Sequence, residues 1–297
     1  MTSLEKILLL VVISFSVTLT SCTKNAVNPL GSGENQITFA VTLSQSSTLG
    51  NYLVDKDGFT LYFFSDEFQG SSNCTGDCAA LWPYFYAGTL TQDNLGNGLV
   101  LSDFGSIQAN GISQTTYKGW PLHYYAPSTS DGYGGNSNVR ESPGLTGGDG
   151  FNNIWFVAKP DYSLMVADGQ LLGADGIYYN GDYTPGSNIS TYFTNDRGMT
   201  LYTYSQDHNN INNFTLSDFS NNSIWPIYET TNLVIPSSID RSKLSTMSVF
   251  GHTQLVYNGW PLYLNSGDVV MGSNMGVSFT APGTWKVPGY NNPVAPL

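Results

Sequence analysis

The chain has 297 residues, of which 13% are aromatic and 11% are charged, and it contains 19 Tyr and 32 Gly. This composition is too aromatic for a disordered chain and is typical of short strands joined by tight turns. The formal net charge of −12 excludes nucleic acid as an expected partner, because an acidic surface repels phosphate backbones, and it disfavours electrostatic adsorption to anionic lipids.

Residues 1–21 have the pattern of a secretory signal peptide. A short segment carrying Lys6 precedes an apolar run at 7–19, which is too short to cross a bilayer comfortably. The run ends in Leu-Thr-Ser-Cys at 19–22, which resembles a bacterial lipobox and implies that Cys22 is lipidated and becomes the mature N-terminus. Ordinary signal cleavage nearby, with Cys22 an incidental thiol, is the alternative. We expect a cell-envelope protein held in the membrane through Cys22, and Thr23 after the cysteine favours the outer membrane.

The mature chain divides into four predicted segments. Residues 22–46 are rich in Ser, Thr, Asn and Gly and are predicted to form a flexible tether. A first β repeat half is expected at 47–167 and a second at 188–297. The segment 168–187 between them is rich in Gly and is predicted to be their connector.

The first half opens with a predicted hairpin. Strand-like segments at 52–54 and 59–64 flank Asp-Lys-Asp-Gly at 55–58, which has the residues of a tight turn. Its similarity to part of a calcium loop is weak, because the later Glu is absent. The pattern returns around 192–204, and the turn glycines Gly58 and Gly198 lie 140 positions apart.

The phrase Gly-Trp-Pro-Leu occurs at Gly119 and again at Gly259, also 140 positions apart. The six Trp residues occupy corresponding places in the two halves: Trp82 with Trp225, Trp120 with Trp260, and Trp155 with Trp285. Packing in a framework explains all six better than a sugar-binding platform does. We therefore predict an all-β fold of antiparallel sheets with an internal, pseudo-twofold duplication. Its halves would be barrel-like or sandwich-like, or would form four quarters of a small propeller-like body.

Cys74 and Cys78 allow three interpretations: a disulfide that clamps the loop before Trp82, a redox-active pair, or a soft-metal site. No His or Met lies close enough in sequence to complete a metal site. Counting back from Trp225, the second half has Ser217 and Asn221 at the corresponding places. We favour the disulfide, which would stabilise the fold by at most a few kcal/mol, about what a short closed loop provides.

The titratable residues form no recognisable catalytic motif. The three histidines, His123, His208 and His252, are not repeated between the halves, since Tyr263 stands where His123 would recur. We expect structural or surface roles for them. The acidic candidates are Asp66, Glu67, Asp77, Asp207 and Asp268, and a suitably spaced pair among them could serve glycoside hydrolysis. We predict no catalytic residue, no cofactor and no metal site.

The segments at 58–62, 74–83 and 117–122 resemble the bacterial and archaeal lipoproteins called "secreted repeat of unknown function". These are also described by a Tyr-x-aromatic-x-x-Asp motif, which 202–207 matches fully and 62–67 matches with Glu at the acidic position. The resemblance covers about 50–160 and 190–290 and is looser in the second half, where both cysteines are missing. It implies tandem repeats on an envelope lipoprotein with no established activity.

We therefore expect a non-catalytic binding or structural module of the cell envelope, with a glycan or an envelope protein as partner. Exposed tyrosines would support such binding, the candidates being Tyr124, Tyr125, Tyr133, Tyr178 and Tyr179. The alternatives are a redox or metal-handling lipoprotein that uses Cys74 and Cys78, and a carbohydrate-active hydrolase. Any local function should lie where the halves differ: the Cys74–Cys78 loop, the loop at 131–150, and the connector at 168–186.

Overall fold

The computed structural model describes residues 39–127 and 139–297. The predictions for the signal peptide, for Cys22, for most of the tether and for Tyr133 lie outside these residues. The strands are β1 (Val41–Ser46), β2 (Gly50–Asp55), β3 (Tyr62–Phe64), β4 (Phe104–Ala109), β5 (Ile112–Tyr117), β6 (Trp120–Pro121), β7 (Trp155–Val157), β8 (Met165–Gly169), β9 (Leu171–Leu172), β10 (Tyr178–Tyr179), β11 (Ser190–Thr194), β12 (Thr203–Tyr204), β13 (Leu244–Val249), β14 (His252–Tyr257), β15 (Trp260–Pro261) and β16 (Trp285–Lys286). One short α-helix, α1 (Asp77–Leu81), and the 3-10 turns Ser65–Glu67, Gln92–Asn94, Leu101–Asp103, Phe151–Asn153, Arg241–Lys243 and Met275–Ser278 complete the described elements.

The prediction of an all-β antiparallel fold is confirmed. In the described part of the chain, five sheets have two strands and two sheets have three, and every strand pair is antiparallel. The predicted barrel or propeller closure is not found among these sheets. The strands are too short to close one, and β6 and β15 both end at a proline, which cannot donate to a further ladder bond.

The two three-stranded sheets have the same register. In β4–β5 Phe104 pairs with Tyr117, and in β13–β14 Leu244 pairs with Tyr257, each residue 140 positions after its counterpart. The turns that follow β5 and β14 place Gly119 and Gly259 at φ values of 93° and 84°, which only glycine adopts without strain. The recurrence of Gly in the Gly-Trp-Pro-Leu phrase therefore has a local conformational cause.

The boundaries of the segments differ from those expected. The tether was expected to extend to Ser46, but Val41–Ser46 is strand β1, which pairs along its whole length with β2. The Ser and Thr residues of this segment are typical of a tether, but Val41 is buried in the core and fixes the strand there. The connector is also different, because β8 pairs with β11 and the segment 170–189 is an excursion within that hairpin.

Aromatic side chains fill the core. Trp82 and Trp155 stack with ring centroids 3.8 Å apart, and Trp225 and Trp285 stack at 3.5 Å. Trp120 is also buried, so five of the six Trp residues are packed inside. Trp260 is the exception: it is partly exposed, and its indole N–H donates to the carbonyl of Pro293 over 2.9 Å. No helix in the described ranges is both long and apolar enough to cross a membrane.

Candidate functional site

Two buried carboxylates each accept a hydrogen bond from a core tyrosine. The Tyr202 hydroxyl donates to Asp268 Oδ2 over 2.6 Å, and the Tyr62 hydroxyl donates to Glu141 Oε1. Burial raises the pKa of Glu141 and raises that of Asp268 to about 6. Each tyrosine oxygen also accepts a backbone N–H, so both groups serve to join a core strand to a later loop.

A second buried bond occurs in each half. His123 Nε2 lies 2.7 Å from Glu67 Oε2, and both side chains are fully buried. At the corresponding positions the Tyr263 hydroxyl donates to Asp207 Oδ2 over 2.8 Å. Burial raises the pKa of Asp207 to about 7, although the Asn213 backbone N–H and the Tyr263 hydroxyl that donate to the carboxylate act in the opposite direction.

These contacts give the predicted acidic candidates different surroundings. Glu67, Asp207 and Asp268 are buried and hydrogen-bonded, Asp66 is half-buried, and Asp77 is exposed. None of the three buried carboxylates lines the groove described below. The geometry therefore assigns Glu67, Asp207 and Asp268 to holding the fold together.

The histidines also lie in unlike surroundings. His123 is buried, with Nδ1 2.9 Å from the carbonyl oxygen of Trp82. His252 is half-exposed beside Glu229, and His208 contacts the Asn213 side chain. Their hydrogen-bond partners are separate, so the structure does not gather the three into one site.

Cys74 and Cys78 are joined in a disulfide with an S–S distance of 2.02 Å. The bond clamps the loop that covers Glu67, whose Oε1 accepts from the Ser72 hydroxyl over 2.7 Å and from the Asn73 backbone N–H over 3.1 Å. Among the described residues no group of three His, Cys, Asp or Glu side chains could hold a metal ion. The disulfide therefore holds in place the loop whose Ser72 and Asn73 donate hydrogen bonds to Glu67.

The second half holds the same loop without sulfur. The Asn221 side chain donates to the carbonyl of Phe214 over 2.7 Å and accepts from the N–H of Leu216 over 3.0 Å. The N–H of Asn213 donates to Asp207, as that of Asn73 does to Glu67. Phe214, rather than the Ser217 obtained by counting along the sequence, thus occupies the place of Cys74. Asn221, at the place of Cys78, fixes the loop through hydrogen bonds instead of a disulfide.

A groove of about 870 Å³ on the described surface brings distant segments together. Its lining comes from the 3-10 turn after β3, from the excursion between β8 and β11, and from the loop at 270–275, and consists of Asp66, Phe68, Gln69, Asn73, Gly169, Gln170, Leu172, Gly173, Tyr178, Ile189, Val270, Met271, Gly272, Ser273, Asn274 and Met275. We call this the inter-half groove. Its volume is within the range of ligand-binding pockets.

Phe68 forms the floor of the inter-half groove and lies between two glycines. A Cβ on Gly169 would lie 2.1 Å from the Phe68 ring, and a Cβ on Gly272 would lie 2.9 Å from it. Neither position can hold a larger residue while Phe68 stays in place. Val270 and Ile189, on the walls, expose 64% and 59% of their surface.

Of the four candidate tyrosines that the structure describes, two are buried and two are exposed or partly exposed. Tyr124 and Tyr179 are buried, and their hydroxyls donate to Asp55 over 2.8 Å and to Asp175 over 2.6 Å. The expectation was wrong for these two because neighbouring carboxylates bind their hydroxyls and let the rings turn inward. Tyr178, which lines the groove, is 51% exposed, and Tyr125 is partly exposed.

One wall of the groove, the connector, could be predicted from the sequence, whereas the other wall, the loop at 270–275, could not. The connector was identified as a place where the halves differ, and the groove lies against it. The loop at 270–275 carries no motif, and its one signal is an apolar Val-Val-Met run at 269–271 in a polar setting. The described part of the other predicted loop, 139–150, does not line the groove.

Comparison with known proteins agrees with the resemblance noted from the sequence. No curated protein and no solved structure matches the chain. Residues 44–85, which include β2, β3 and the disulfide loop, match the model of the family described as "secreted repeat of unknown function".

Proposed function

We propose that this protein is a lipid-anchored, non-catalytic binding module of the cell envelope, built from two copies of one β repeat. The observation that carries the proposal is the inter-half groove. Exposed apolar side chains such as Val270 and Ile189 gather in this one concavity, and such a cluster is typical of a ligand-binding groove.

The tandem-repeat part of the proposal is supported by recurring geometry. The sheets β4–β5–β6 and β13–β14–β15 share a register, and each half stacks a Trp pair. One wall of the groove is the excursion after β8, which does not recur. The other wall, the loop at 270–275, has a counterpart at 142–147, and the Gly272 N–H bonds to Gly198 as the Gly144 N–H bonds to Gly58. A scaffold used twice, with one added segment that lines a groove, is suited to binding.

The anchoring part rests on the lipobox-like segment at 19–22 and on the secreted family that residues 44–85 match. Expression of the full chain in a diderm bacterium with an alkyne-labelled fatty acid would test it. We expect label on the wild-type chain in the outer-membrane fraction and none on Cys22→Ser. Equal labelling of the two chains would refute lipidation at Cys22.

The binding part is tested by thermal shift of the full chain in phosphatidylcholine vesicles. The panel comprises short peptides of varied charge, chitotriose, cello- and xylo-oligosaccharides, and divalent cations. A ligand that binds the native state raises the midpoint in a concentration-dependent way. A flat response to every class would contradict a binding role.

The redox alternative rests on the position of the disulfide on a surface loop, with Cys78 only partly buried. The hydrogen-bonded Asn221 clamp argues for a structural role, because the second half keeps the same loop without sulfur. Thiol titration of native protein in glutathione buffers distinguishes the two. A redox function requires the Cys74–Cys78 bond to exchange at physiological potentials, whereas a structural clamp stays oxidised.

A further inference from the structure

We propose that the inter-half groove binds an extended protein segment in which a Lys or Arg is flanked by apolar side chains. This inference rests on the proposed binding function and names its ligand class. It is carried by the side chains of the walls and by the charge at one end of the groove.

The walls are aliphatic and accessible. Val270, Ile189, Met275 and Leu172 line the groove from opposite segments, and all four are classed among the exposed large apolar residues. Burial of such side chains by a ligand removes apolar surface from water, which favours binding. The ligand must therefore present apolar groups of its own along the groove.

Two of the wall residues are methionines, Met271 and Met275. An unbranched thioether side chain adjusts its shape at low cost, and such residues are used where a surface accepts varied apolar side chains. A Cβ on Gly119 or on Gly198 would lie 2.8 Å or 2.5 Å from Met271, so this side chain lies close to both halves. The lining therefore suits peptide side chains of differing shape.

One end of the groove is acidic and lacks a compensating cation. The Asp66 carboxylate is half-buried and has no hydrogen bond or ion pair with any described residue. No Lys or Arg lines the groove. Burial, with the nearby charges of Asp168 and Glu67, raises the pKa of Asp66. An ammonium or guanidinium group placed there would relieve this repulsion and complete an ion pair.

The same walls disfavour a sugar. Sugars bind by stacking their faces on aromatic rings, and the exposed ring available here is Tyr178 on the rim, since Phe68 is buried in the floor. The amides of Gln170 and Asn274 already bond to the protein. An apolar peptide segment with a basic residue fits both the walls and the charge.

The test is calorimetric titration of Leu-Val-Lys-Val-Leu into the full chain in phosphatidylcholine vesicles, with empty vesicles as the blank. The matched control peptide is Leu-Val-Glu-Val-Leu. We expect saturable binding of the Lys peptide and binding at least about tenfold weaker of the Glu peptide, since one ion pair becomes a like-charge contact. Equal affinity for the two peptides would overturn the proposal that the ligand carries a basic residue that pairs with Asp66.

Two substitutions then locate the binding. Asp66→Asn should weaken the Lys peptide about fivefold to tenfold and leave the Glu peptide no weaker. Val270→Trp, at an exposed position, should fill the groove and weaken the Lys peptide by more than about tenfold. The matched control is Asp93→Asn, which removes one negative charge from an exposed 3-10 turn outside the groove and should leave affinity unchanged.

The outcomes separate this inference from the function on which it rests. If the Lys peptide binds but neither groove substitution weakens its binding, the peptide binds outside the groove, so this inference fails and the binding function stands. If chitotriose binds and Val270→Trp abolishes that binding, the groove is a sugar site and the peptide assignment is overturned. If neither peptide binds and no other ligand class shifts the thermal midpoint, both proposals fail.

Discussion

Raising the pH from 5 to 8 should destabilise this protein, because two buried carboxylates in the second half must lose protons inside the fold. Asp207 and Asp268 are hydrogen-bonded to Tyr263 and Tyr202, which carry no charge to offset an ionised partner. Burial raises their pKa values to about 7 and about 6, from 3.8 in the unfolded chain.

The sign follows from the direction of these shifts. A carboxyl whose pKa is raised by folding holds its proton more tightly in the folded state, so its contribution is complete below pH 3.8 and is lost as pH rises through the folded pKa. Each unit of pH between the two pKa values costs about 1.4 kcal/mol. From pH 5 upward, Asp207 loses about 3 kcal/mol by pH 7 and Asp268 about 1 kcal/mol by pH 6. The free energy of unfolding should therefore fall by about 4 kcal/mol between pH 5 and pH 8.

The assay is urea denaturation at pH 5, 6, 7 and 8, followed by Trp fluorescence, since a stacked Trp pair lies in each half. The perturbation is Asp207→Asn, which keeps an acceptor for the Tyr263 hydroxyl and removes the ionisable group. We expect this variant to lose about 3 kcal/mol of the pH dependence. The matched control, Asp93→Asn, should retain all of it because Asp93 is exposed. A free energy that is flat or rises from pH 5 to pH 8, or a variant with the wild-type slope, would refute the reasoning.

Three further substitutions test the groove floor and the two loop clamps. Gly169→Ala should lower the free energy of unfolding by about 1–3 kcal/mol, measured by urea denaturation, because its Cβ would collide with the Phe68 ring; unchanged stability would contradict the packing. Cys78→Ser should cost about 2 kcal/mol, the loop-closure value for so short a loop, and the same loss should appear when dithiothreitol is added to the wild type but not to the variant. Asn221→Ala should cost about 1–3 kcal/mol in calorimetric unfolding, since it leaves the carbonyl of Phe214 without its donor; a neutral result would show that this loop needs no clamp.

The parts of the fold that could be predicted from the sequence are those with local causes. Gly58 and Gly198 predict hairpin turns, where both have a left-handed backbone that disfavours other residues, and aromatic and branched residues predict the strands. The closure of the sheets could not be predicted, because it depends on how far each ladder continues. Pro121 ends the ladder between β5 and β6, and Pro261 ends the ladder between β14 and β15. No barrel or propeller forms among the described strands.

The candidate site was predicted only in part because its walls are far apart in sequence. The excursion between β8 and β11 was recognisable by its glycines and by its absence from the first half. Phe68, Gly169 and Gly272 are joined only by the fold, and no spacing rule links three such residues. The start of the folded part is not predictable for a related reason: Val41 belongs to strand β1, whose Ser and Thr residues are typical of a tether and whose partner β2 follows only after a turn.

The two buried bonds at corresponding positions show what the scaffold requires of a sequence. Glu67 reaches His123 over 2.7 Å, and Asp207 reaches Tyr263 over 2.8 Å. Glu67 has the longer carboxylate side chain and faces the shorter His123 ring. Asp207 has the shorter carboxylate side chain and faces the longer Tyr263 ring, so the combined length of the two side chains is the same in both pairs. Loss of either partner would leave a buried polar group unpaired, at a cost of about 1–3 kcal/mol. The scaffold therefore requires a hydrogen bond at this place, and it does not require a charge. The Tyr263 hydroxyl offers Asp207 no positive charge, and burial raises the pKa of that carboxyl. Burial also raises the pKa of Glu141 in the first half, so the expected loss of stability on raising the pH is assigned to the buried carboxylates whose partners are neutral tyrosines.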